Sequence, residues 1–307
     1  MGLSTRLRLL ALAPKMRSMS APKCTNLFAL LLVACGPNVA QSPRTPNAST
    51  ATAATTSIDS RLTAVLAGKQ RPDQERARDV YRHPRETLEF LGISENMAVV
   101  ELSAGQGWYT AILAPLLATQ GRLTTTGADP NGPPDSEGTK NAKKFAERLA
   151  SDPTSFGKVS SIVVDWKNSD ASLGPDASAD MVVTFRNMHG WIRDGVFDNV
   201  LRASFRVLKP GGVLGIEEHR ANAGAPTDPK VIGETGYLPE AFAIQLIERA
   251  GFKLAGKSEV NANSKDTKDY PKGVWTLPPT LRLGDVDRDK YLAIGESDRM
   301  TLKFTKP

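Results

Sequence analysis

Two cysteines in 307 residues, Cys24 and Cys35, leave almost no thiol chemistry to consider. Both lie in or beside a leader-like segment, so a chain that loses the leader keeps one thiol at most and forms no internal disulfide. Histidine is nearly as scarce. His83, His189 and His219 are the only three, and their spacing contains no short ligand motif, so no metal site is expected. No apolar run approaches the ~20 residues that a membrane-spanning helix needs. Positive charge is in excess only locally. The formal net charge is +6, from 39 basic and 33 acidic side chains. Residues 1–34 hold Arg6, Arg8, Lys15, Arg17 and Lys23 with no acidic residue, which leaves 34 basic against 33 acidic side chains in the remainder. With no basic cluster interleaved with aromatics, a nucleic-acid partner is not expected.

The leader combines its basic residues with an apolar run from Leu27 to Ala34, and then reads Leu32-Val33-Ala34-Cys35 before Gly36. It looks like a bacterial lipoprotein signal, in which small residues precede a cysteine that becomes the lipid attachment site. That implies removal of residues 1–34, lipidation of Cys35, and a protein held at the membrane through its lipid, in the cell envelope facing the periplasm. If the leader is not an export signal, the protein is cytoplasmic. From Gly36 to about Ser60 the chain is mostly Pro, Ser, Thr, Ala and Asn, too poor in apolar surface to offset its ordering entropy. Residues 35–70 are therefore read as a flexible tether and residues 71–307 as one folded domain.

Within that domain, strand-like and helix-like segments alternate, the pattern of a parallel sheet covered on both faces by helices. Pro84 to Leu91 reads as a helix with proline in its first turn and Gly92 at its end. Strands are expected at Met97–Glu101, Arg122–Ala128, Lys158–Val164, Met181–Phe185 and Val213–Glu218. Ala142, Phe145 and Leu149 mark one face of a helix between the second and third strands. Val196, Phe197, Val200, Leu201 and Phe205 mark another, stopped by Lys209-Pro210-Gly211-Gly212. A further helix runs from Pro239 to Gly251. The strand Phe252–Val260 follows, and Met300–Phe304 is its expected antiparallel partner. Residues 261–298 form an insertion between these two strands, long enough to be functional or partly disordered.

The chemistry is carried by Glu101-Leu102-Ser103-Ala104-Gly105-Gln106-Gly107, a turn between a strand and a helix. Gly105 and Gly107 permit positive φ and close approach of a ligand, and the helix N-terminus offers free N–H groups. A nicotinamide-binding turn would place a third small residue where Thr110 stands. The arrangement instead resembles the class I S-adenosylmethionine (SAM)-dependent methyltransferases, whose turn is an acidic residue followed by alternating glycines. Ser103 departs from that pattern by replacing the first glycine. In the same register, Asp129 falls where the family holds the cofactor ribose. Asp165 falls where it meets the adenine amino group, with Trp166 beside it to cover the ring. Asp180 to Asn187, including Arg186, resembles the fourth motif, and Leu208-Lys209-Pro210-Gly211-Gly212 the turn before strand five. The resemblance covers about residues 75–260.

A closer likeness, to a group of predicted bacterial methyltransferases, rests on His83-Pro84-Arg85-Glu86-Thr87, Phe185-Arg186-Asn187-Met188-His189, Glu218-His219-Arg220 and Trp275-Thr276-Leu277-Pro278-Pro279. The resemblance implies a single Rossmann-like α/β domain with a mostly parallel seven-stranded sheet and an antiparallel C-terminal strand. It implies SAM as cofactor, held by Glu101, Ser103, Gly105, Gly107, Asp129, Asp165, Trp166 and Arg186. The methyl acceptor, a small molecule or some other group, stays unidentified, as does the oligomeric state. Because such sheets bind ligands beyond the carboxyl ends of their strands, His189 and His219 are the expected catalytic side chains, as base or as orienter of the acceptor. The rival reading is a non-catalytic lipoprotein that uses the same fold to bind a small molecule or a protein partner.

Overall fold

The computed structural model describes residues 58–307. The leader, the lipid attachment expected at Cys35 and the tether up to residue 57 lie outside the described residues. The strands are β1 (Ala98–Leu102), β2 (Arg122–Gly127), β3 (Val159–Val163), β4 (Ala179–Phe185), β5 (Leu208–His219), β6 (Lys253–Ser258) and β7 (Arg299–Thr305). They form one sheet in the order β3-β2-β1-β4-β5-β7-β6. All pairings from β3 to β5 are parallel, and β7 lies antiparallel between β5 and β6. This is the expected fold. β1 leads outward to β2 and β3, and β4 leads the other way to β5, so strand order reverses between β1 and β4, the crevice where such sheets bind ligands.

Helices cover both faces: α1 (58–66), α2 (Asp73–Arg76), α3 (Asp79–Arg82), α4 (Pro84–Leu91), α5 (Thr110–Leu117), α6 (Glu137–Ser151), α7 (Pro153–Phe156), α8 (Met188–Arg193), α9 (Phe197–Val207), α10 (Pro229–Thr235), α11 (Glu240–Arg249) and α12 (Arg288–Ile294). Alternation along each strand sorts its side chains between two cores. Val99, Met181, Val183 and Phe185 join Leu62, Leu88, Leu91 and the apolar residues of α5 on one face. Val100, Leu102, Val182, Leu214, Ile216, Met300, Leu302 and Phe304 join α8, α9, α10 and α11 on the other. Helix α4 spans the expected residues, with proline at its first turn and Gly92 in the left-handed region at φ 84°, where its N–H caps the last carbonyls.

Two expectations need correction, and a third, a functional or partly disordered insertion, is narrowed to an ordered one. The folded domain begins earlier than residue 71, because α1 places Leu62 and Val65 in the core; two well-spaced apolar residues anchor a segment whose average composition is polar. The Lys209-Pro210-Gly211-Gly212 turn does stop α9, but β5 already starts at Leu208. Gly211, at φ 78°, and a register shift between Ala179 and Met181 absorb the turn within the strand span. The insertion 261–298 is ordered by polar anchors. Asn261 Nδ2 donates to Thr87 Oγ1 at 2.8 Å and Thr301 Oγ1 at 2.9 Å, and the Asp266 carboxylate accepts from Tyr237 Oη at 2.8 Å and from the Asp298 N–H at 2.8 Å.

Candidate active site

The turn after β1 opens onto the β1/β4 crevice. Glu101 shares the face of Val99, so it points toward α5, where Thr110 Oγ1 donates to its Oε2 at 2.6 Å. Burial raises the Glu101 pKa to about 7, against the opposing pull of that hydrogen bond. Ser103 occupies the left-handed region at φ 47°, the conformation for which the resembled family uses glycine, and its N–H donates to Thr126 Oγ1 at 2.9 Å. Gly105 has φ 62°, and a Cβ there would meet nothing within 4 Å. Gly107, at φ 83°, would instead press a Cβ against Phe145 at 2.8 Å. The first glycine thus faces open space and the second is needed for packing.

That open space belongs to a cleft of about 800 Å³ lined by Ser103, Gly105, Gly127, Ala128, Pro130 and Asn187, within the size range of cofactor sites. Its floor continues under α6 along Phe145 and Leu149. Asp129 lies between two of the lining residues and is exposed; its Oδ1 accepts from the Asn131 N–H at 2.8 Å. Asp165 is likewise exposed after β3, with Oδ1 accepting from the Lys167 N–H at 2.9 Å. Each carboxylate is fixed by a local turn and keeps its second oxygen for another partner. Trp166 is half-buried and packs edge-on against Trp191 at 6.0 Å, so it is braced from the α8 side.

Arg186 follows β4 at φ 63°, and beside Ser103, Trp108 and Asn187 it lines a small recess that adjoins the cleft. Its guanidinium bonds Glu217 Oε1 at 2.8 Å. Glu217 also meets Arg299 at 3.1 Å and accepts from Tyr109 Oη at 3.0 Å. Arg299 passes the chain of ion pairs to Glu296 at 3.1 Å, which meets Arg82 at 3.1 Å and Arg78 at 2.7 Å. Burial alone would raise both carboxylates. Arg186 and Arg299 outweigh it at Glu217, and Arg82, Arg299 and Arg78 hold Glu296 down at about 2. Burial, aided by Arg186, pulls Arg82 down to about 9. Four guanidiniums face two carboxylates, so this network carries surplus positive charge next to the recess. Tyr109 stacks on Phe185 with ring centroids 3.4 Å apart and ties the network to the β1 turn.

The next residue on β5 points to the opposite face. Glu218 is fully buried and accepts from the N–H groups of His189 at 3.2 Å and His219 at 2.8 Å. His189 Nδ1 lies 3.0 Å from Glu218 Oε1, and His219 Nδ1 lies 2.6 Å from Ser297 Oγ. The two imidazole centroids are 5.5 Å apart, with Trp275 edge-on to His189 at 5.9 Å. Burial, and after it the neighbouring His189 and arginines, keep His219 well below its ordinary pKa, hence neutral near pH 7. The structure therefore brings together the two histidines expected to act, while His83 serves elsewhere as the left-handed residue between α3 and α4.

A model of the methyltransferase domain family matches residues 74–254, more than half of the chain. The chain belongs to this methyltransferase family. Its cofactor is S-adenosylmethionine. No curated protein matches the sequence. Among solved structures, a putative sarcosine dimethylglycine methyltransferase from Galdieria sulphuraria is similar at TM-score 0.51 and 13% identity, over 76% of this chain and 86% of that one. The [4+2]-cyclase SpnF is similar at TM-score 0.50 and 17% identity, over 74% and 80%. Identities this low show a shared fold, and the cyclase is a reminder that the fold hosts more than one chemistry.

The residues of this methyltransferase domain fit the cofactor on structural grounds. A Cβ added at Gly105 or at Gly127 would enter empty cleft, and the buried Trp108 Nε1–H has no partner among the described residues. The sequence reasoning missed the Arg82–Glu296–Arg299–Glu217–Arg186 network and the role of Tyr109. The available signal was Glu217-Glu218, two charges placed consecutively at the end of an otherwise apolar strand. One of them must point to each face.

Proposed function

We propose that this methyltransferase moves the methyl group of SAM to an acceptor seated at the end of β4 and β5. SAM supplies a methyl group already activated by its sulfonium, so the protein's task is alignment of the nucleophile. The observation that carries the reading is the cleft at the β1/β4 reversal, lined by Ser103, Gly105 and Asn187, with His189 of the His189–Glu218–His219 cluster only two residues beyond Asn187. On this reading Asp129 holds the ribose hydroxyls and Asp165 the adenine amine. Arg186, with the surplus charge behind it, faces the methionine carboxylate. His189 and His219 lie on the acceptor side and orient or deprotonate the acceptor. The protein works as a lipoprotein attached through Cys35 in the cell envelope. Intact-mass analysis of the mature N-terminus tests that placement, and an unprocessed chain in the cytosol refutes it.

Calorimetric titration with S-adenosylhomocysteine tests the cofactor site. The wild-type chain binds one equivalent. Asp129→Ala loses about 1.5 to 3 kcal/mol, the range for hydrogen bonds to a charged group, with its melting temperature unchanged. Equal affinity in the variant would refute the ribose assignment, and no binding by the wild type would refute the function.

A further inference from the structure

Three groups of the acceptor side form a donor set that the cofactor does not need. His189 Nδ1 or Nε2, a Glu218 carboxylate oxygen and a His219 ring nitrogen all lie within 4.8 Å of one another. They come from two elements held rigidly together, the start of α8 and the end of β5, so their convergence is a property of the fold. Two imidazoles and one carboxylate form a ligand set for divalent transition ions, with Zn²⁺ the commonest, and three protein ligands leave a coordination position open. Magnesium, which prefers an all-oxygen shell, suits it poorly.

The surroundings match what such ligands require. Glu218 is buried, and the peptide N–H groups of both histidines fix its carboxylate. His219 Nδ1 is engaged by Ser297 Oγ at 2.6 Å, which fixes the ring plane and leaves Nε2 as the free nitrogen; outer-shell hydrogen bonds of this kind orient metal-bound histidines. Tetrahedral zinc bonds near 2.0 to 2.1 Å imply ligand atoms roughly 3.4 Å apart. The cluster thus needs a closure of at most about 1.4 Å between ligand atoms, within reach of side-chain torsions while His189 stays partly open to solvent.

We propose that His189, Glu218 and His219 bind one divalent transition-metal ion, and that the ion takes the acceptor's nucleophilic oxygen or sulfur as a further ligand. This rests on the methyl-transfer reading and names how the two histidines serve it. The acceptor class is a compound with an ionisable hydroxyl or thiol. Coordination lowers its pKa, and its proton passes to solvent. The freed electron pair forms the bond to the methyl carbon as the carbon–sulfur bond of SAM breaks, its electron pair remaining on the sulfur. The nearby arginine surplus favours an acceptor that is anionic when bound.

The test uses purified metal-free full chain titrated with Co²⁺, read by visible absorption, and with Zn²⁺ in competition, alongside S-adenosylhomocysteine titration of the same samples. The expected result is one Co²⁺ per chain, displaced by Zn²⁺ and not by Mg²⁺, with binding abolished in His189→Ala and in His219→Ala. Ser297→Ala, which leaves every ligand in place, weakens the metal about 10- to 100-fold. Variants are compared only where S-adenosylhomocysteine affinity confirms a folded domain. Absence of stoichiometric Co²⁺ or Zn²⁺ binding by a chain that binds S-adenosylhomocysteine overturns the metal proposal alone. So does binding that survives both histidine substitutions. Failure of the wild type to bind S-adenosylhomocysteine overturns the function reading instead.

Discussion

Replacing Glu101 by glutamine should stabilise the cofactor-free protein in alkaline solution and leave it unchanged in acid. Glu101 is 2% exposed, its one side-chain partner among the described residues is Thr110, and its pKa is raised from 4.5 to about 7. Between these values the folded state keeps a proton that the unfolded chain has released. The folded state then binds more protons, and stability falls as pH rises. The slope is about 1.4 kcal/mol per pH unit, so the whole window costs on the order of 3 kcal/mol. Glutamine is neutral at every pH, and its amide oxygen still accepts from Thr110. The difference between variant and wild type should therefore be near zero at pH 4.5 and plateau near 3 kcal/mol above pH 7. At roughly 2 to 4 °C per kcal/mol for a domain of this size, that is about 6 to 12 °C in melting temperature. Glu217 and Glu296 titrate in both proteins and cancel in the difference. Urea unfolding at half-unit pH steps measures it. A flat difference from pH 4.5 to 8, or a less stable glutamine variant at pH 8, would refute the reasoning.

Glu217→Ala leaves Arg186 and Arg299 facing each other without their shared carboxylate, and should cost about 3 to 5 kcal/mol in denaturant unfolding, the range for breaking a buried pair. Leu62→Ala should cost about 2 to 5 kcal/mol; a negligible effect would place α1 outside the cooperative fold. Gly105→Ala should cost about 1 kcal/mol of backbone strain yet weaken S-adenosylhomocysteine binding at least tenfold, because its methyl group enters the cleft. Equal affinity in that variant would show that the ligand lies elsewhere.

The parallel strands were legible because β1 and β4 are buried on both faces and read as continuous apolar runs, and α4 because Pro84 and Gly92 punctuate it. Period-2 alternation, applied to Glu217-Glu218, would also have separated one carboxylate toward the arginines from another toward the histidines. The arginine–glutamate network itself was not legible. Arg82, Arg186, Glu217 and Arg299 meet only through the sheet order, and the insertion of β7 between β5 and β6 follows from hydrogen bonding that no local pattern announces. Helix α1 was hidden for a different reason: Leu62 and Val65 are outnumbered by polar neighbours, and averaging over the segment erased the spacing that buries them.

The placement of β7 between β5 and β6 sets an order of events during synthesis. Strand β6 leaves the ribosome with no neighbour to pair with, because the strand that joins it to the sheet has yet to be made. Ser297 and Arg299, which hold His219 and Glu217, arrive on that same late segment. A nascent chain exposing only residues up to 290 would carry the parallel half of the sheet, an unprotected β6 edge, and His219 and Glu217 without the partners that hold them. The surroundings of His219 and Glu217 are thus completed last, and stalled or truncated chains, lacking them, would be the ones most open to chaperones and proteases.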